Sequence, residues 1–600
     1  MKAKLIIANI SFIALFYAAG FAQDTYTLEK ITVSRSEGIY SQDVLTAEDL
    51  KKQNLSTPVD VLNCISGVDL RSRAPFGIQG DISLRGSTYE QVAVLVDGIK
   101  LMDPQTGHYN LDIPLTIFDL ERVEVTKEAA SSLYGAGAYA GSINLVIKKP
   151  QKQALNLESF FGEHALFGQA FSFSLPLKDF AARISFDQKK AKAARPNTDF
   201  DYQTGSFYLT KDSDSLSIDT LLGWQKKDYG ADSFYSNLFP EEEEHTETLF
   251  IKSRLDVKLD KFILKNNLFL RKHDDKFILR RNNPTSANYH TNYIYGLDSS
   301  VNYPFRLGNL TLGISSGVDQ INSTNLGKHS RLYEAGIFGL SLDSGSRIAA
   351  DLRFRLDHYQ KWASQQSFNL GLGVRLIDDK LKFRSSVGKS FRIPTFTDLY
   401  YSDAGNKGNQ NLGVEKSYSY VCGLDYKINS LDLGIEGFFR RGINLIDWTR
   451  TSLSVPWEAT NLGRVDFKGG TFNTKVSPDF TYKFLRLDNV SFSYTYTDAD
   501  KKSSGFFSKY AYDILMHQLI LGVNSRVFGL GLDWQLTYSK RYYGEDYFVG
   551  NFYIGKKFSN KNYILEPFFK IDNFTNAEYS ETSGVLQPGR WVQAGIKLVW

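Results

Sequence analysis

From Gln151 to Trp600 apolar and polar residues alternate with a period of two, the repeat of a pleated strand whose successive side chains face opposite ways. Leu216, Ile218, Thr220, Leu222 and Trp224 interleave with Ser217, Asp219, Leu221 and Gly223. Leu255, Val257 and Leu259 interleave with Arg254, Asp256 and Lys258; Asp260-Lys261 turns the chain, and Leu264, Leu268 and Leu270 resume. The scheme returns at Leu431, Leu433, Ile435 and Phe439, and again at Val592, Ala594, Ile596, Leu598 and Trp600. A soluble sandwich and a membrane barrel with a wet lumen both satisfy this alternation, so periodicity alone leaves the two open.

The connections separate them. Short turns (Leu177 to Asp179, Lys211 to Asp214, Asp260-Lys261, Ile377 to Lys380, Lys427 to Ser430, Phe558 to Lys561) alternate with longer polar stretches. The long ones are Gln188 to Gln203, Lys226 to Thr248, Lys272 to Asn292, Gly388 to Leu412, Thr449 to Asn461, Thr497 to Tyr512 and Asn573 to Arg590. Tight turns at one end and long loops at the other are the pattern of an outer-membrane barrel, here of about 22 strands with about 10 residues each to cross the membrane.

Before residue 150 the pattern changes. Short β-branched runs (Val92 to Val96, Val123 to Val125, Ile143 to Ile147) are separated by glycine-bearing turns, which predicts a small mixed αβ module. Gly135, Gly137 and Gly141 are one residue too widely spaced for a nucleotide-binding fingerprint and read as turn glycines. At the start, Lys2 and Lys4 precede an apolar stretch from Leu5 to Ala19 and a Gly20-Phe21-Ala22 site, an export signal that is cut after Ala22.

Composition adds exclusions. Aromatics are abundant (43 Phe, 34 Tyr, 7 Trp) and the formal charge is only +4, without the basic face that nucleic acid requires. Cys64 and Cys422 are far apart and read as buried or lipid-side fillers, with a disulfide between them as the alternative. The Glu241 to Glu244 run with His245 reads as a solvated acidic loop tip, because four adjacent acids lack the spaced ligands of a calcium loop. His273-Asp274-Asp275 and His290 show no metal spacing, and no Ser/His/Asp arrangement is brought together by the sequence. Neither an enzyme nor a cofactor site is expected.

Five motifs stand in order between Asp60 and Lys148: S-G-V at Ser66, I-S-L-R-G at Ile82, V-L-V-D-G at Val94, E-R-V-E-V at Glu121 and S-S-L-Y-G-A-G-A-Y-A-G-S-I-N from Ser131. Together they resemble the plug domain of TonB-dependent outer-membrane receptors. S-F-R-I-P (Ser390 to Pro394) with the segment Gly408 to Ser417, and I-D-N-F-T-N-A-E-Y (Ile571 to Tyr579), are similar to barrel segments of the same family. The chain departs from that pattern where Pro is usual near Gly413 and Val414, where an acid is usual near Val421, and in ending on Trp600 rather than Phe.

The resemblance implies a transmembrane β-barrel with the mixed α/β plug inside its lumen: signal peptide 1–22, periplasmic leader 23–36, plug 37–150 and barrel 151–600. It implies active import coupled to TonB and its inner-membrane energising complex, by a monomer in outer-membrane lipid. Within the leader, Glu29, Lys30, Ile31, Thr32, Val33 and Ser34 look like the TonB box, an extended peptide that adds to a sheet edge of the partner. Ligand contacts are expected on two plug loops, at Arg73, Phe76 and Gln79 and at Asp103, Gln105, His108, Tyr109 and Asn110, where Pro, Gly and polar residues interrupt the strands. Arg85 and Arg122 are expected to face the wall, with Glu415 and Glu436 as partners. Asp103 to Pro114, Gly230 to Tyr235, Phe438 to Trp448 and Pro456 to Val465 are similar to receptors of the cobalamin-transporter type. Cobalamin is therefore the first ligand expected, a ferric siderophore the second, a sugar or peptide the third. A passive channel or adhesin is the reading from a different class.

Overall fold

The computed structural model describes residues 39–600 apart from 236–237, 284, 286, 344, 346, 379, 479, 502–504, 511–512 and 583. The expected export signal and residues Glu29 to Ser34, expected to form the TonB box, lie outside the described residues. No described helix is long and apolar enough to cross a membrane, which leaves crossing by strands untouched.

A closed barrel of 22 long antiparallel strands forms most of the chain. It runs from Ala154–Gly162 to Trp591–Val599, and these two strands pair with each other from Gln593↔Gly162 to Val599↔Asn156. Closure removes both sheet edges.

The buried face of each strand is the polar one. Along Glu243–Leu259, Glu244, Thr248 and Lys252 point into the lumen and are buried, whereas Leu249, Leu255 and Leu259 on the other parity are exposed. A water-soluble sandwich would bury the leucines, so this inversion removes the ambiguity left by the alternation.

The strands are longer and the outer loops shorter than predicted. Leu431–Arg450 and Trp457–Val476 have 20 residues each, and they take up most of the expected Thr449 to Asn461 loop. Backbone groups beyond the apolar belt still gain from pairing, so the hairpins extend past it.

Inside sits the plug. Its strands are β1 (Gln42–Thr46), β2 (Val68–Ser72), β3 (Gly80–Leu84), β4 (Val92–Val96), β5 (Ile99–Lys100), β6 (Leu120–Thr126) and β7 (Gly141–Ile147). Five make one sheet in the order β1-β6-β7-β4-β5, in which β4 and β7 are parallel and the other pairs antiparallel. The β-branched run of β4 is buried on both faces, as an unbroken apolar strand must be. β2 and β3 form a separate hairpin. Just after β3 the chain turns at Gly86 (φ +78), where a Cβ would come within 2.9 Å of the Phe467 ring on the wall. Helix is confined to short pieces such as α1 (Ala47–Lys52), capped by Thr46.

Candidate functional site

The tip of the β2–β3 hairpin, residues 73–79, and the turn 101–110 form the plug's apex at the long-loop end of the barrel. Phe76 is seated among Phe160, Phe200 and Trp591, with ring centroids 5.9–6.4 Å away. Arg73 Nη2 pairs with Asp81 Oδ2 at 2.9 Å, and Asp81 Oδ1 lies 2.7 Å from His108 Nδ1. Burial pushes the Asp81 carboxyl up, but Arg73 and His108 beside it outweigh burial and hold it below the usual carboxylate range. Burial, with Arg73 against Asp81, holds His108 below the usual imidazole value. A neutral His108 must therefore donate from Nδ1 to Asp81, leaving Nε2 as an acceptor. Its ring stacks on Tyr89 at 4.4 Å and meets Tyr235 edge-on at 5.7 Å.

All of the predicted ligand residues except His108 are buried, and what they touch is largely the wall and neighbouring plug. Gln79 Nε2 donates to the Tyr235 hydroxyl and to Glu244. Asp103 receives Arg271, and Asn110 Oδ1 accepts the Asp103 N–H at 2.9 Å. Gln105 bridges Asp275 (3.3 Å) and Asn292 (2.8 Å). The Tyr109 hydroxyl lies 2.6 Å from Glu244 and 2.8 Å from Asp275. The polar side chains that keep accessible surface at the apex include His108, Arg71, Tyr235, Tyr510, Asp513 and Glu581. Arg71 reaches Asp69 at 3.1 Å and Asp513 at 3.3 Å. Arg541 reaches Asp69 at 2.6 Å. Burial acts to raise Asp69, but Arg541 and Arg71 dominate and hold it at about 2. Burial pushes the loop carboxyl of Glu581 up to about 7 against Arg541.

The acidic run is not a solvated tip: Glu242 and Glu244 are buried, and Glu244 takes hydroxyls from Tyr109, Tyr229 and Tyr235. His273 and Asp275 are buried beside it, with His290 paired across from Asp275. Parity would have found these residues, since Glu244 shares its side of the strand with Thr248 and Lys252 and not with Leu249. Among the described residues no His/Cys/Asp/Glu group has the geometry to hold a metal ion.

Between plug and wall, Arg85 bonds Glu436, which also takes Arg384; side-chain exposures of 1% and 5% put the Arg85–Glu436 pair out of solvent. Glu415 accepts from Gln91 of the plug (3.0 Å) and from Arg392 of its own wall (2.8 Å). Arg392 also meets Glu90 at 2.6 Å and Asp398 at 3.1 Å. Burial and the Asp398 carboxylate push Glu90 up to about 8 against Arg392. Arg122 differs from the expectation: it pairs with Glu121 and Glu124 along β6, because its strand position points it at its own acids and not at the barrel.

A cavity of about 360 Å³ separates part of the plug from the wall, from Lys52 and Asn524 at the turn end to Phe76 and Trp591 at the loop end. Half-buried Cys64 lines it, whereas Cys422 is exposed on the outer wall; both thiols are free. Cys64 is thus a seam residue and not a core filler.

Residues 34–142 match the family model described as the TonB-dependent receptor plug domain, and residues 154–579 match the one described as the TonB-dependent receptor-like β-barrel. The chain belongs to the TonB-dependent receptor family. Like the family's other members it is an outer-membrane receptor that works with TonB, not an enzyme. One similar relative is the vitamin B12 transporter BtuB of Vibrio vulnificus (strain YJ016), 24% identical over 78% of this chain and 79% of its own. Similar solved structures include the siderophore receptor PirA of Pseudomonas aeruginosa, with TM-score 0.71, 17% identity and coverage of 93% and 99%. The ferric citrate transporter FecA is another, with TM-score 0.76, 13% identity and coverage of 94% and 97%. At these identities the structural likeness speaks for the receptor fold alone.

Proposed function

We propose that this receptor imports cobalamin across the outer membrane, as the similar BtuB protein is named for doing. The observation that supports this reading is the charge balance at the apex. Arg73 is matched by Asp81, Arg71 and Arg541 by Asp69, Arg271 by Asp103 and Lys227 by Asp112. Glu90 is matched by Arg392, and Glu242 and Glu581 add carboxyl groups beyond those pairs. What remains for a ligand is phenols and an imidazole at His108, Tyr235 and Tyr510, with Arg71 already paired. Such a surface suits a large amide-bearing macrocycle that is recognised by hydrogen bonds and aromatic contact. A multiply anionic iron chelate would find these apical cations already held by carboxylates of the protein.

In the same reading residues 1–22 direct export, 23–36 form the leader whose Glu29 to Ser34 are offered to TonB, 37–150 are the plug and 151–600 the lipid-embedded wall of a monomer. Binding at His108 and its neighbours biases the plug between two states, which is the only way a ligand outside can alter what TonB meets inside.

A ferric siderophore is the competing ligand. It is favoured by the cation–aromatic pairs on the outer loops, with Arg450 4.2 Å from the Trp457 ring and Lys361 5.5 Å from that of Trp362. Titration of labelled cobalamin and a panel of ferric chelates onto the purified receptor separates the two. Nanomolar binding of a chelate with none of cobalamin overturns the proposal.

A further inference from the structure

The described chain opens on three buried residues, Ile39, Tyr40 and Ser41, which precede β1. Ile39 and Tyr40 lie against Gly371, on the inward parity of the wall strand Gln365–Ile377. A Cβ at Gly371 would come within 2.4 Å of Ile39 Cγ2 and 2.8 Å of Tyr40 Cε1, so the missing side chain is what opens the slot. From that slot the Tyr40 hydroxyl donates to Asp351 Oδ1 at 2.5 Å. Asp351 is itself fixed, accepting from Arg353 Nε at 2.8 Å and from Ser341 Oγ at 2.5 Å.

The next residue is fastened differently. The Ser41 carbonyl accepts the Lys127 N–H at 3.0 Å, and its hydroxyl accepts from Arg85, the arginine that also reaches Glu436. Beyond it, β1 is the edge strand of the plug sheet, bonded among the described residues only to β6, and half-exposed. An edge strand with one neighbour is among the first elements of a sheet to open, so the hold that precedes it decides how readily it peels.

We propose that Tyr40, seated over Gly371 and bonded to Asp351, is a releasable clasp: it fixes the start of the plug to the barrel wall and resists a pull delivered through the residues before it. It is a positioning residue for energy coupling and not a ligand contact. The proposal goes beyond the ligand assignment and stands whether the cargo is cobalamin or an iron chelate. Its logic is that a carrier driven from the periplasm needs a tie that bears load at rest and fails before the plug core does. One phenol–carboxylate bond and two apolar side chains make a tie of that size, whereas β4 is buried on both faces at the centre of the plug.

The test uses the full-length receptor in detergent with the substitutions Tyr40→Phe and Gly371→Leu. Tyr40→Phe keeps the ring and removes only the hydroxyl, so folding is not at issue; Gly371→Leu fills the slot, and Gly371→Ala replaces it if the larger side chain prevents assembly. Hydrogen exchange is read at the amides of β1 and of β4, and affinity is read for the soluble periplasmic domain of TonB without any ligand. Loss of a hydrogen bond to a charged acceptor corresponds to about a ten- to hundredfold faster opening, so β1 amides in Tyr40→Phe should exchange faster by that factor. β4 amides should keep the parental rate, and TonB-domain affinity should rise in the order parent, Tyr40→Phe, slot-filled variant. Unaltered β1 exchange overturns the proposal. So does loosening of β4 in step with β1, which is what a merely structural tyrosine gives, and so does an unchanged TonB affinity when β1 has loosened.

Discussion

The Arg85–Glu436 pair offers a sharp test of how the plug is held. Removing the carboxylate by Glu436→Leu strands the buried Arg85 guanidinium with the Lys127 carbonyl at 2.9 Å, the Ser41 hydroxyl at 3.2 Å and the Phe438 ring at 4.4 Å. Breaking a buried ion pair from one side costs about 3–5 kcal/mol, because the partner's desolvation is no longer offset. Removing the cation by Arg85→Met is a different perturbation. Glu436 keeps Arg384, which also holds Asp425 at 2.9 Å, so the loss is one charge-assisted hydrogen bond, about 1.5–3 kcal/mol. The double variant has no stranded Arg85 and should cost little more than Arg85→Met alone, which gives a coupling energy of about 2 kcal/mol or more. The assay is hydrogen exchange of the β4 and β7 amides in the detergent-solubilised receptor, under conditions where they open with the whole plug. Equal losses from the two single variants, or simple additivity in the double, would refute the reasoning, because either result means that the carboxylate is not the shared partner.

Further outcomes follow from the same geometry. Glu128 of the plug, which accepts a hydrogen bond from Ser386, is pushed by burial from 4.5 up to about 7. A carboxyl raised in the folded state stabilises fully below its ordinary value and loses that contribution as pH climbs to about 7; the swing is on the order of 3 kcal/mol. Plug protection should therefore fall between pH 4.5 and 7, and Glu128→Gln should flatten that fall. His108→Ala and Tyr235→Phe should each weaken ligand binding about tenfold in equilibrium titrations, with the barrel's thermal transition unchanged. Deleting Glu29 to Ser34 should leave ligand affinity intact and abolish uptake by whole cells; uptake that survives would place the protein among passive channels.

The barrel and its plug were legible in the chain because both are written in local order. Alternation of period two between Leu216 and Trp224 demands strands, tight turns such as Asp260-Lys261 alternating with long loops demand one set of ends on each side, and five motifs in sequence mark the plug. Which face of the strands is hidden was not local. Leu249 is exposed and Glu244 buried only because the sheet closes around a polar plug. Partnerships were still less accessible: Tyr40 meets Asp351 and Gln79 meets Glu244 through the barrel's closure and stagger, and no spacing in the sequence encodes that. The same cause puts Glu242 and Glu244 inside the barrel, where their run of acids suggests a loop tip, and sets Arg122 against Glu121 and Glu124 along its own strand. A strand's period is set by its own covalent geometry, whereas the neighbour a side chain meets is set by how the strands register around the whole cylinder, and that only the tertiary structure decided.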